Sequence, residues 1–183
     1  MEREVTRVMK TWKKVALATA VVPFALLALV TWYFAHYSMD EAKPFEVNAP
    51  SAREHVLIAT QGSAFKDAVV QGVVDRLETR PVYVKVIDVG QLPSVRESDW
   101  NAIILLHTWQ MSKPPAAVRA FVDRSESRDK LVVLATSGDG KEHIAGLDTI
   151  TSASSKADVP ARVDEIVRRV DKLLSAQTPR ASK

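Results

Sequence analysis

Beyond the first forty residues, the chain alternates between two hydrophobic patterns. Short runs rich in β-branched and aliphatic residues predict strands, and apolar residues at helical spacing between those runs predict helices. The predicted strands are 55–60, 81–89, 102–107, 130–136 and 148–151. The predicted helices are 64–78, 115–124 and 158–174. The third and fourth strand runs are apolar throughout, which is typical of strands that helices cover on both faces.

This alternation predicts an α/β domain with a mainly parallel sheet and helices on both faces. Right-handed crossovers leave few arrangements for a domain of this size, and a doubly wound five-stranded parallel sheet in the order 2-1-3-4-5 fits best. In such a sheet, ligands bind beyond the carboxyl ends of the strands, at the switch point between the first and third strands. The candidate loops are therefore 60–63, 108–113 and 137–141.

The N-terminal segment has a third pattern. Residues 15–35 carry no formal charge, and a helix of this length spans a hydrocarbon core of about 30 Å. Aromatic side chains, which favour the headgroup region, flank the run. They are Trp12 on one side and Trp32, Tyr33 and Tyr37 on the other. We therefore expect a transmembrane helix over 15–37 that anchors the chain in a lipid bilayer.

Basic residues are distributed unevenly around this span. Five of them precede it, whereas only Lys43 and Arg53 follow closely. The positive-inside rule then predicts a single-pass protein of the cell membrane, with a cytoplasmic flank over 1–14 and the remainder outside the cytoplasm. A cleaved signal peptide is the alternative, but its apolar region is usually about 7–15 residues and ends at a small-x-small site. The segments after the span are predicted as a linker (38–54), an outer domain (55–176) and a disordered tail (177–183).

The charge of the chain also changes at the end of the span. The whole sequence has 25 basic and 22 acidic residues, and its pI is about 9.2. Residues 1–39 hold five of the basic and two of the acidic ones, so the remainder holds 20 of each and is neutral. We therefore expect no nucleic-acid partner. The chain has no cysteine, and its four histidines show no metal-ligand spacing, so no metal site is predicted.

The third and fourth predicted strands resemble segments of the flavodoxin-like family, in particular its flavodoxin and quinone-reductase branch. The first segment has a buried strand, an aromatic loop residue, a proline and a helix ending in Phe-x-Asp. These residues are Trp109, Pro114, Phe121 and Asp123. The resemblance covers residues 55–175. It implies an FMN site in which Trp109, next to Thr108, borders the flavin ring and the backbone amides of Ser137, Gly138, Asp139 and Gly140 meet the polar edge of that ring.

The same resemblance places the FMN phosphate at Thr60, Gln61, Gly62 and Ser63. Flavodoxins hold that phosphate with a loop of the form Ser/Thr-x-Thr-Gly-x-Thr at a helix N-terminus. Aligned on Gly62, the three hydroxyl positions are Ala59, Gln61 and Ala64, so most of this signature is lost. Alternatively, Gly62 only permits a sharp entry from the strand into the helix.

Two further motifs have a functional and a structural interpretation. The run Asp148 to Ser154 (DTITSAS) resembles the motif to which extracytoplasmic flavin transferases attach FMN through a phosphoester, with Ser154 as the acceptor. Serines are also ordinary formers of a turn after a strand. Ser63 and Lys66 have the Ser-x-x-Lys spacing of penicillin-binding proteins, but no companion motif is present, so we expect a helix-entry serine and a solvated lysine.

Two functions remain open from the sequence, and no catalytic residues are identified. The first is FMN-dependent electron transfer or reduction by a membrane-anchored, extracytoplasmic protein. The second is a cofactor-free binding or scaffold module of the cell envelope, in which Trp109 contacts a protein partner. A shared fold does not decide between them.

The expected orientation can be tested with a reporter. Alkaline phosphatase fused after Lys183 should be active in a bacterial host, because the C-terminal domain is expected outside the cytoplasm. A green fluorescent protein fusion at the same position is the matched control and should be dark. An inactive phosphatase together with a fluorescent fusion would reverse the orientation.

Overall fold

A computed structural model describes residues 19, 21–32 and 40–177. The chain divides into two units, Met1–Met39 and Asp40–Lys183. In the first unit, residues 21–32 form helix α1, and its large apolar side chains are exposed. No helix within the described residues is long and apolar enough to cross a membrane. The predicted flank 1–14, most of the predicted span outside 21–32, and the tail after residue 177 lie outside the described residues.

The second unit contains one six-stranded sheet. The five predicted strands are present with small shifts of their ends: β2 (Glu54–Thr60), β3 (Val82–Asp88), β4 (Ala102–Thr108), β5 (Leu131–Thr136) and β6 (Thr149–Ser152). All neighbouring pairs among these five are parallel. The three helices of the unit are α2 (Ala64–Leu77), α3 (Ala116–Arg124) and α4 (Val159–Gln177).

The expected five-stranded sheet in the order 2-1-3-4-5 was wrong in its strand count. The observed order is β1-β3-β2-β4-β5-β6, and the additional strand β1 (Phe45–Val47) lies within the predicted linker 38–54. It pairs antiparallel with β3, with Phe45 opposite Val86 and Val47 opposite Val84. When β1 is set aside, the five parallel strands keep the expected relative order. A strand of three residues between prolines has too little alternation to be recognised in the sequence.

Helices cover both faces of the sheet. Helices α2 and α4 pack against one face, where Val69, Val73, Ile166 and Val170 meet strand residues such as Ile104. Helix α3 and the 3-10 turn Val89–Ser94 cover the other face. Every residue from Ala102 to His107, and every residue of β5, is buried. This burial confirms the central position predicted from their uniformly apolar runs.

Asn48 fixes the end of β1 against the sheet. Its backbone is left-handed, with φ of 64°, and its side-chain Nδ2 donates to the carbonyl oxygens of Glu78, Arg80 and Val82 at 3.2, 3.0 and 2.9 Å. The two N–H bonds of this amide are therefore shared among three backbone acceptors that precede or begin β3. Asparagine is one of the few residues that adopts this φ without a large penalty.

We expect Asn48→Ala to lower the free energy of unfolding by about 2 kcal/mol, because it removes these hydrogen bonds and leaves alanine in a left-handed backbone. Asn48→Gly, the matched control, keeps the backbone freedom and should cost about 1 kcal/mol. Urea unfolding of the full chain in detergent, followed by tryptophan fluorescence, measures both. Equal stability of Asn48→Ala and the wild type would show that these bonds contribute nothing.

Candidate functional site

Threonines end three neighbouring strands at the predicted switch point. Thr60, Thr108 and Thr136 end β2, β4 and β5, and strand alternation directs all three towards the layer of α2 and α4. The Oγ1 atoms of Thr108 and Thr136 lie 2.8 Å apart. We call the ends of these strands, with the loops 60–63, 108–113 and 137–141, the carboxyl edge.

Lys66 occupies the space beside this threonine row. It lies in the first turn of α2 and is only 1% exposed, and its Nζ donates to Thr108 Oγ1 at 2.8 Å. Burial lowers the pKa of the Lys66 ammonium to about 8, and the nearby Asp67 carboxylate partly opposes this effect. The expectation of a solvated lysine was therefore wrong. Its position i+3 from the helix entry turns its side chain back towards the sheet.

Ser63 begins α2 as expected of a helix-entry serine. Its Oγ accepts from the backbone N–H of Lys66 at 3.3 Å, which is the usual N-cap bond. Gln61 Oε1 accepts from the backbone N–H of Thr108 at 2.7 Å and so joins the ends of β2 and β4. The polar side chains at 61 and 63 thus bond within the domain.

The entry segment, residues 40–47, crosses the loop expected to hold a phosphate. The backbone N–H of Gly62 donates to the carbonyl oxygen of Asp40 at 2.7 Å. Two residues later, Ala42 N–H donates to Asp88 Oδ2 at 2.9 Å, and Asp88 Oδ1 accepts from Gly90 N–H at 2.7 Å. The chain is therefore bonded to this edge at both β2 and β3.

Glycine is needed at position 62 because of this close approach. A Cβ atom there would lie 2.7 Å from the Asp40 carbonyl oxygen, which is shorter than van der Waals contact allows. Gly62 is not among the glycines with positive φ, which are Gly140 and Gly146 in the described part of the chain. Passage of the entry segment, rather than an unusual backbone angle, thus accounts for this glycine.

The residues present do not fit the FMN phosphate. The Gly62 amide already has an acceptor, the Ser63 hydroxyl accepts at the helix N-cap, and two of the three hydroxyl positions are alanines. A cavity of about 470 Å³ does open beside the loop, but Asp40, Glu41 and Asp67 are in its lining. Carboxylates repel a phosphate dianion. We therefore derive no chemistry through a bound flavin.

Trp109 lies where the resemblance placed a ring-bordering residue, but it faces a different neighbourhood. Its backbone N–H donates to the Thr136 carbonyl at 2.8 Å, and its indole Nε1 is buried without a hydrogen-bond partner in the described part of the protein. A cavity of about 300 Å³ adjoins the ring. Its lining includes Pro114, Arg119, Val122, His143 and Ile144.

The loop 137–140 bonds mainly within itself and to the chain after β6. Ser137 N–H donates to the Ser152 carbonyl at 3.2 Å, and Gly140 N–H donates to the Ser137 carbonyl at 3.3 Å. Asp139 Oδ1 accepts from the Ser137 hydroxyl at 2.8 Å, a bond that is the main cause of a lowered Asp139 pKa. Two of the amides that the resemblance assigned to a flavin ring thus have internal acceptors.

Ser154 follows the end of β6 on an exposed turn. Its φ is 62°, and its N–H donates to Ser152 Oγ at 3.2 Å. This geometry matches the ordinary turn interpretation of the DTITSAS run. Attachment of FMN at Ser154 stays a prediction. Across the described residues, no group of three histidine, aspartate or glutamate side chains could hold a metal ion.

His107 lies under the carboxyl edge on the face of the sheet opposite Lys66. Its side chain is fully buried, and neither ring nitrogen has a hydrogen-bond partner in the described part of the chain. Burial, with a smaller contribution from the Lys66 charge, lowers the pKa of His107 to about 4. The ring is therefore neutral near pH 7.

Comparison with solved structures places this geometry in a known fold. A metal-soaked Flv1 flavodiiron core from Synechocystis sp. PCC6803 matches with a TM-score of 0.53 and 13% identity, over 69% of this chain and 37% of that one. The chain has a flavodoxin-like fold. A WrbA-like flavodoxin from Agrobacterium tumefaciens also matches, with a TM-score of 0.44 and 15% identity, over 67% of this chain and 98% of that one. No protein-family model and no curated protein matches the sequence.

The carboxyl edge thus brings together only some of the predicted site residues. Gln61 bonds directly to Thr108, and Ser63 is connected to Thr108 through Lys66, which bonds to both. Trp109 instead faces a separate cavity. Sequence reasoning missed Asp40, Lys66 and Thr136. The helical position of Lys66, one residue after the buried Phe65, was the available signal for its burial. Nothing in the sequence marked Asp40, since its bond uses a backbone carbonyl.

We expect acid to destabilise the wild type partly through His107. Its folded pKa of about 4 lies below the ordinary histidine value of 6.5, so the unfolded chain binds more protons between these values and stability falls as the pH drops through this range. The total loss is about 3 kcal/mol. Replacing the unpartnered ring with leucine should remove this part of the pH dependence and leave stability at pH 7 equal or higher.

Urea unfolding of the wild type and His107→Leu at several pH values between 4 and 7 measures this difference. Carboxylate protonation contributes equally to both proteins, so the variant serves as the control for it. Identical pH slopes would assign the acid sensitivity to other groups.

Proposed function

We propose that the protein is a membrane-anchored, flavodoxin-fold binding module that lies outside the cytoplasm and works without FMN. The bond between the Gly62 amide and the Asp40 carbonyl carries this proposal, since it places the chain's own backbone in the phosphate loop. The proposed partner is another component of the cell envelope, recognised through side chains rather than through a cofactor. The fold serves here as a rigid support for loops.

Lys66 supports the same conclusion. A side-chain cation directed outward at a helix N-terminus would add to the attraction that the helix dipole and free N–H groups offer a phosphate. Here the only ammonium in the first turn of α2 points inward, to Thr108 and the threonine row. The cavity beside the loop is lined by the carboxylates of Asp40, Glu41 and Asp67 and by one ammonium group, that of Lys43, so acidic groups predominate. Its charge therefore favours a cationic or neutral occupant over a phosphate.

Membrane anchoring is supported by α1 and by the sequence around it. Large apolar side chains on all sides of α1 are exposed, among them Val21, Phe24, Leu27 and Leu29. A helix that is apolar all round must be covered by protein or lipid. The uncharged run 15–35 and the five basic residues before it favour a lipid bilayer as the surroundings of this helix, with the domain outside the cytoplasm.

FMN-dependent electron transfer is the second candidate, and one observation favours it. The buried indole N–H of Trp109 has no acceptor among the described residues, and such a group costs about 1–3 kcal/mol unless a ligand or water satisfies it. A flavin carbonyl against Trp109 would provide that acceptor. Under this alternative, Trp109→Ala should weaken FMN binding by roughly 2–4 kcal/mol through lost stacking and buried area.

The two candidates differ in their response to FMN. We expect the full chain, purified in mild detergent, to show no visible flavin absorbance. Titration with FMN to high micromolar concentration should neither quench its tryptophan fluorescence nor raise its unfolding midpoint, because a ligand stabilises the folded state only when its concentration exceeds its Kd.

Trp109→Phe is the matched control, since it separates quenching at Trp109 from quenching at the other three tryptophans. A yellow protein, or saturable quenching that disappears in Trp109→Phe, would refute the cofactor-free proposal and support the flavin site.

A further inference from the structure

Two polar side chains at the end of β4 are buried without hydrogen-bond partners. His107 and Trp109 lie two residues apart, and the Trp109 N–H continues the ladder to β5, so strand alternation directs both rings to the face covered by α3. Among the described residues, these two hold three of the four buried side-chain nitrogens that have no partner. Even the neutral His107 ring does not accept from the indole. An acceptor for Trp109 Nε1 therefore comes from a ligand or from water.

The cavity of about 300 Å³ beside this indole, here called the indole cavity, has mainly apolar walls. Pro114, Val122, Ile144 and Ala145 line it together with the Trp109 ring. Ligand cavities in proteins measure roughly 300–1,000 Å³, so this one has the size for a small molecule or a single side chain. Apolar walls around one buried donor select a compact apolar ligand that carries a hydrogen-bond acceptor.

An arginine in the same lining favours a negatively charged acceptor. Arg119 Nε and Asp123 Oδ2 are 3.7 Å apart, which is too far for a hydrogen bond, and the two side chains are 68% and 65% exposed. Such an exposed ion pair is weak. Within the described part of the chain, the Arg119 guanidinium makes no hydrogen bond. Its N–H groups are therefore available to a second carboxylate, which a guanidinium binds in a bidentate geometry.

The loop 141–147 covers one side of the indole cavity and is bonded only locally. Lys141 N–H donates to Asp139 Oδ1 at 3.2 Å, and Leu147 N–H donates to the Ile144 carbonyl at 3.2 Å. Within the described residues, no hydrogen bond of this loop reaches more than three positions along the chain. The loop can therefore move away from α3 by giving up apolar contacts alone, and a ligand can enter there.

We propose that the indole cavity binds a small apolar carboxylate, with Trp109 Nε1 and the Arg119 guanidinium as donors to the carboxylate group. This inference rests on the proposed cofactor-free function and names the chemistry that the binding module recognises. A carboxylate accepts stronger hydrogen bonds than a neutral carbonyl, and a branched aliphatic body matches the walls. Two sources present this chemistry. One is a free organic acid, and the other is the C-terminal residue of a partner polypeptide.

Nuclear magnetic resonance of the indole groups tests this assignment. The full chain, labelled with ¹⁵N at its four tryptophans and held in mild detergent, contains four indole N–H groups, and the signal that is absent from Trp109→Phe belongs to Trp109. The free-acid probe is isocaproate, and the peptide probe is acetyl-alanyl-leucine. The primary amides of both probes have matched shapes without the charge and are the ligand controls.

We expect the carboxylate probes to shift the Trp109 indole proton downfield in a saturable way, with a Kd at least about tenfold lower than the amides, because a charged acceptor bonds more strongly. Arg119→Gln should raise that Kd about tenfold, since it removes the guanidinium. Arg168→Gln is the matched control and should leave the Kd unchanged. Arg168 is an exposed arginine of α4, which covers the opposite face of the sheet.

A lower Kd for the peptide than for isocaproate would identify a polypeptide terminus as the ligand, and the reverse order would identify a free organic acid. Equal binding of carboxylates and amides, or an unchanged Kd in Arg119→Gln, would overturn the carboxylate assignment. No shift of the Trp109 signal with either probe would overturn this inference and leave the cofactor-free function standing. A saturable shift on addition of FMN would refute that function and the inference together.

Discussion

The hydrogen bond from the Gly62 amide to the Asp40 carbonyl determines what the carboxyl edge can do. It draws the entry segment across the loop between β2 and α2, and β1 then continues along β3 as the sixth strand. The Asp40 carbonyl is therefore an acceptor for the Gly62 amide that comes from the chain itself and not from a ligand. The same bond fixes where the chain enters the domain. One interaction therefore joins the entry segment to the loop at which the sequence resemblance placed a phosphate.

Lys66 and the threonines at the strand ends also form hydrogen bonds within the protein. Burying an ammonium is costly unless hydrogen bonds replace its hydration, and Thr108 provides one at 2.8 Å. The lowered pKa of Lys66, about 8, reflects the remaining cost of holding the charge. His107, on the other face, is held neutral by burial and by that charge. On the face covered by α2, Lys66, Thr108 and Thr136 thus bond to one another without a ligand. On the opposite face, the His107 ring has no hydrogen-bond partner among the described residues.

The sequence predicted the parallel core well because its signals are local and repeated. Uniformly apolar runs marked β4 and β5, and helical spacing marked α2 and α4, since burial selects residue types at every position of these elements. The prediction failed where one backbone contact decides the structure. Strand β1 is three residues long, and the Asp40 bond involves no side chain. Lys66 shares the helical spacing of the buried Val69 and Val70, but a lysine at that position predicts exposure, and its partner Thr108 lies on another strand.

A flavodoxin-like fold can lose its phosphate loop without losing stability because the two depend on different residues. The apolar core lies between the sheet and α2, α4 and α3, away from the loops at the strand ends. Loop substitutions such as alanine at positions 59 and 64 therefore leave the core intact, provided that each buried amide still finds an acceptor. Asp40 meets this requirement at Gly62, and it does so with residues next to a predicted membrane span.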